Sequence, residues 1–71
     1  MSQKEADILY FVSFCIEQYK MHRNMKGSDV MALFDKQHIT EYLYDNYDVL
    51  HTQSAAWLME EIDDYMKEAK Q

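Results

Sequence analysis

The chain has no proline and a single glycine, Gly27. Nothing in it forces a helix to break, and almost no position is freed for unusual backbone conformations. Cys15 is its only cysteine, so no disulfide can form within the chain. Long apolar runs are missing too. The longest, Ile8 to Ile16, is interrupted by Ser13 and falls far short of the ~20 residues a membrane helix needs. Acidic Glu5 and Asp7 precede it where a secretory signal would carry bases, so the expected location is cytoplasmic. Bases are scarce: seven Lys and Arg stand against 13 Asp and Glu, a net charge of −6.

The excess negative charge is confined to one half. Residues 1–40 balance five acids with five bases, whereas residues 41–71 carry eight acids against Lys67 and Lys70. Such a half repels phosphate backbones and attracts basic protein surfaces, or simply keeps a small protein soluble. The 71 residues form one expected domain, 1–71, with a radius of gyration of about 11 Å. At that size a single core only just offsets chain entropy, which makes self-association or a partner protein a natural supplement.

Alternating apolar and polar runs are absent and helical spacing dominates, so the expected fold is all-α: a compact bundle of four helices, long–short–short–long. The first helix spans about Gln3 to Arg23, opened by a Ser2–Glu5 capping box. Ile8, Phe11, Val12, Cys15, Tyr19 and His22 form its inner stripe. Tyr10, Phe14 and Met21 fall on the opposite side, within about 40° of one another at 100° per residue. A surface helix needs one apolar stripe and this one has two. The second is either sandwiched by helices of its own chain or covered by another chain.

Gly27 is expected to end that unit, and Ser28 to cap a second helix over Asp29 to Lys36 with Val30, Leu33 and Phe34 inward. A third, Ile39 to Asn46, presents Ile39, Tyr42 and Leu43, with Asn46 closing it in the left-handed conformation. The stretch Tyr47-Asp48-Val49-Leu50-His51-Thr52-Gln53 then organises the chain. Val49 and Leu50 are apolar enough to enter the core, and Thr52 is placed to cap the last helix, with His51 and Gln53 beside that start. His51 is expected to make a local structural hydrogen bond there. The last helix, Gln53 to Ala69, buries Ala55, Leu58, Met59, Ile62, Tyr65, Met66 and Ala69, while Glu60, Asp63, Asp64 and Lys67 lie away from that stripe. Trp57 falls roughly 140° from its centre, either packed within the chain or anchoring a partner.

Chemistry-bearing patterns are few. His22, His38 and His51 have no ligand spacing, and Asp45-Asn46-Tyr47-Asp48 lacks the glycine and the closing glutamate (Ala56 stands there) of a calcium loop. No metal, cofactor or small-molecule substrate is expected. There is no phosphate loop, nucleophile elbow or HExxH, and Cys15 sits mid-helix on the apolar stripe, where a thiol stays protonated. No catalytic residue is assigned, and the expectation is a non-enzyme. The second and third helices resemble a helix-turn-helix in outline, but the would-be recognition helix carries Glu41 and Asp45 and no base, so direct nucleic-acid binding is not expected. What remains is a protein-interaction module, built from ten aromatics and six methionines. Its candidate partner face is Tyr10, Phe14 and Met21, with Trp57 and the acidic face of the last helix secondary. A small transcriptional regulator and a stand-alone structural domain are the alternatives.

Phe11-Val12-Ser13-Phe14-Cys15-Ile16-Glu17, Leu33-Phe34, Tyr42-Leu43 and Tyr47-Asp48-Val49-Leu50-His51-Thr52-Gln53 occur in an order and spacing that resemble the small bacterial family catalogued as domain of unknown function 3791. Val49-Leu50-His51-Thr52 is the most specific part. This chain departs from the family pattern where a glycine commonly stands, at Ser54 and at His38. The resemblance implies no catalytic residue. It implies an accessory protein encoded beside proteins that look like ADP-ribosyltransferases, and hence an antitoxin or regulatory subunit. On the residues alone the partner is either a neighbouring enzyme or a second copy of the chain, giving a homo-oligomer.

Overall fold

A computed structural model describes residues 2–69, with the side chain of Ala69 outside the described set. The described residues form five helices and no strand: α1 (Gln3–Arg23), α2 (Gly27–Lys36), α3 (Ile39–Asp45), α4 (Tyr47–Leu50) and α5 (Ala55–Ala69). The architecture is the expected small all-α bundle, with one helix more than the spacing of apolar residues revealed. Its radius of gyration is 11.6 Å.

α1 is the beam on which the rest is laid. At 1.5 Å per residue its 21 residues reach about 31 Å, close to the 33 Å longest extent of the molecule. Ser2 opens it: the Glu5 backbone N–H donates to Ser2 Oγ at 3.1 Å. The return half of the capping box differs from expectation, because the Glu5 carboxylate accepts from the Ser2 hydroxyl (3.4 Å). α1 packs against α2, α3 and α5. Ile8, Phe11, Val12, Cys15 and Tyr19 are buried along that face, joined by Val30, Phe34, Ile39, Leu43, Leu50, Leu58, Met59 and Ile62. Met66, Tyr65, Leu33 and Tyr42 flank this core half-buried. Cys15 is fully buried, and burial pushes its thiol up to about 12, which keeps it protonated.

Several helix boundaries are set by residues other than those expected. Asn24, not Gly27, closes α1 in the left-handed conformation (φ 53°, ψ 52°). Gly27 begins α2, whose N-cap position is Lys26 with no side-chain cap, so Ser28 lies inside the first turn. Asn46 is not left-handed (φ −113°). That conformation falls instead on His38 (φ 60°), between α2 and α3. At the start of α5 the cap is Ser54, whose Oγ accepts from the Trp57 N–H at 3.1 Å. Thr52 turns the other way and donates its hydroxyl to the Val49 carbonyl at 3.0 Å, closing α4. These two positions have different costs: Ser54 supplies a cap, while His38 holds a strained backbone.

That strain makes a prediction. The imidazole of His38 gains only an exposed pairing with Glu41 at 3.3 Å, worth little in water. His38→Gly is therefore expected to stabilise the fold by about 0.5–1 kcal/mol, after the entropy that glycine adds to the unfolded chain. Urea unfolding would show the midpoint rising with an unchanged slope.

Candidate interaction site on α1

The second stripe of α1 is open to solvent. Tyr10 is 79% exposed, Met21 70% and Phe14 39%. Of the two readings of this stripe, a sandwich within its own chain does not occur among the described residues. Trp57 is 40% exposed, so the chain covers part of its ring and leaves the rest to solvent.

Tyr10 and Phe14 border a groove of about 350 Å³. One wall comes from α1, where Asp7, Tyr10, Phe11 and Phe14 follow one another at helical spacing. The other comes from the organising stretch, through Tyr47, His51 and Gln53, and Leu58 of α5 completes the lining. A second, smaller depression of about 240 Å³ lies on the far side of Tyr10 and Phe14, against Ser13 and Glu17. Met21 and Trp57 line neither of these two depressions.

The groove wall is fixed by α4. Residues 47–50 form a single helical turn, seated on α1 by the edge-on contact of the Tyr47 and Phe11 rings, 5.6 Å between centroids. Leu50 is buried behind it. Val49, expected to enter the core beside Leu50, is 66% exposed instead, because successive residues of a helix point about 100° apart. His51 stacks on Tyr47 at 4.4 Å and 13°. Its Nδ1 lies 2.8 Å from the Tyr47 carbonyl, which can only accept, so Nδ1 carries the hydrogen of that bond. The expected local bond exists, but it finishes α4 rather than starting α5.

On the other end of the molecule a polar knot ties α1 to α5. Asp63 accepts from the Tyr19 hydroxyl at 2.7 Å and from His22 Nε2 at 2.8 Å, and pairs with Arg23 at 3.1 Å. Burial alone would raise the Asp63 carboxyl, but the hydrogen bonds from His22, Tyr19 and Arg23 outweigh it and hold the group below the usual carboxylate range. The same burial and the bond to Asp63 push Tyr19 up. Asp63 therefore faces α1 and does not belong to the free acidic face. His22, placed on the inner stripe by its spacing, is exposed at the edge of this knot. Glu61 is also engaged, accepting from Tyr42 at 2.6 Å, with the Tyr42 ring stacked on Tyr65. Burial and Glu61 together push the Tyr42 phenol up to about 12.

Among the described residues no three His, Cys, Asp or Glu side chains gather as metal ligands, and no helix is long and apolar enough to cross a membrane. Compared with known proteins, the model of a family described as a protein of unknown function, DUF3791, matches residues 10–69. No curated protein and no solved structure matches the chain.

Proposed function

The chain belongs to the DUF3791 family of proteins of unknown function, and from that premise we propose that it is a non-enzymatic protein-interaction module that engages its partner through the outer stripe of α1. The observation that carries this reading is the pair Tyr10 and Phe14, two aromatic side chains left in solvent on the helix that organises the core, beside a groove. Aromatic anchors next to a pocket are what interface hot spots are made of. The resemblance to proteins encoded beside ADP-ribosyltransferase-like enzymes names the partner to look for, with an antitoxin or regulatory role for this chain. Nucleic acid is disfavoured as the partner, because α3 carries Glu41 and Asp45 and no base.

Capture of the tagged protein's partners from its native cells, with mass spectrometry, tests the reading when run beside Phe14→Glu. A stoichiometric ADP-ribosyltransferase-like protein held by the wild type and lost with Phe14→Glu is the expected result. Since Phe14 is already in contact with solvent, far-UV circular dichroism of the variant is expected to match the wild type and its stability to change by no more than about 1 kcal/mol. Recovery of untagged copies alone would make the stripe a homo-oligomer interface. A Phe14→Glu chain that unfolds would show the stripe to be core, and the placement would be wrong.

A further inference from the structure

We propose that the groove between α1 and α4 is a receptor for an arginine side chain presented by the partner protein, with Asp7 as its counter-charge and Tyr10, Phe14 and Tyr47 as its aromatic walls. This rests on the reading of the chain as an interaction module and names the chemistry that the partner brings.

The groove's polar side chains are Asp7, His51 and Gln53. Asp7 carries the groove's formal negative charge, and one of its oxygens already accepts from Gln3 Nε2 at 2.9 Å. The other carries no hydrogen bond among the described residues. His51 lines it with Nδ1 committed to the Tyr47 carbonyl, and Gln53 brings an amide that can both accept and donate. Among the described residues no Lys or Arg lines the groove. The nearest base in sequence, Lys4, is paired with Asp48 at 3.1 Å. A net charge of −6 adds a long-range attraction for cations.

The remaining lining is aromatic, which distinguishes arginine from other cations. A guanidinium is planar, stacks on aromatic faces and is only weakly hydrated, and its fork of N–H donors can meet a carboxylate and a second acceptor together. A lysine ammonium is a strongly hydrated point charge that gives up more on leaving water. An anion would meet Asp7, and a wholly apolar side chain would leave Asp7, His51 and Gln53 without partners on desolvation. The groove is open along Tyr10, so a side chain can enter while its own backbone stays outside.

The test uses three peptides, acetyl-Gly-Leu-Arg-Leu-Gly-amide and its citrulline and lysine counterparts, titrated into the isotopically labelled protein. Citrulline keeps the shape of arginine without the charge. The expected result is chemical-shift change centred on Asp7, Tyr10, Phe14, Tyr47 and His51, with the arginine peptide binding about ten-fold more tightly than either counterpart. Asp7→Asn preserves the acceptor for Gln3 and lies on the surface. It is expected to abolish the preference for arginine over citrulline while leaving the helical fold unchanged. Equal binding of the three peptides, shift changes elsewhere, or no shift changes would overturn the proposal. If Phe14→Glu releases a captured partner while the peptides show no preference, the interface stands and the arginine assignment falls. If the preference holds and no partner is captured, the groove assignment stands and the reading of the whole protein falls.

Discussion

Replacing Phe34 by alanine is expected to remove a large share of the stability of this fold. Phe34 is fully buried, and its ring meets the equally enclosed Tyr19 edge-on at 5.3 Å. Truncation of such a phenylalanine costs about 3–5 kcal/mol, as lost transfer energy plus the cavity left behind. Seventy-one residues support only about 4–11 kcal/mol in total at the usual stability per residue. The loss therefore ranges from roughly a third of the stability to all of it. Urea unfolding followed by circular dichroism should show the midpoint falling steeply or the cooperative transition vanishing at 25 °C. A loss below about 1 kcal/mol would mean that α1 and α2 collapse to fill the space, against the close packing seen around Tyr19.

The second large effect belongs to Asp63. Asp63→Ala removes the acceptor of the buried Tyr19 hydroxyl and the counter-charge of Arg23. An orphaned hydroxyl in the interior costs about 1–3 kcal/mol, and the ion pair with the half-exposed Arg23 adds little because water screens it. A total near 2 kcal/mol is expected. The effect also carries a pH signature. The folded carboxyl lies below its ordinary value, so the unfolded chain binds the proton more readily. This contribution is fully present above the unfolded value of about 4 and is lost as pH falls through the lower, folded value. Against Asp63→Asn, which cannot titrate, the wild type should hold a constant advantage near neutrality that shrinks below about pH 4. An advantage that survives undiminished to about pH 2 would show that the carboxylate is not what holds the knot together.

How much of this was legible in the sequence differs from element to element, for physical reasons. α1 was readable to both ends, since 21 residues of helical spacing and a capping box leave little freedom. α4 was not, because a helix of four residues is shorter than any period it could display. The caps were misplaced by two residues at both α2 and α5, where Ser28 and Thr52 are acceptable by type and only the path of the chain selects Lys26 and Ser54. Asp63 read as part of a solvated face because its partners come from α1, 40 to 44 positions earlier, and no local pattern points there. For the candidate site, the adjacency of Tyr10 and Phe14 followed from helical arithmetic. The wall opposite them did not, since it depends on α4 folding back onto Phe11.

The Tyr19–Asp63 bond joins residues 44 positions apart, and this has a consequence for the chain while it is being made. At about 5–20 residues per second, roughly 2–9 s separate the synthesis of Tyr19 from that of Asp63. Over that interval the inner face of α1 has no α5 to pack against. The nascent chain carries a long helix with apolar residues on both sides, one side waiting for α5 and the other left open in the finished fold. Until α5 arrives, the chain presents the kind of surface that chaperones and proteases recognise.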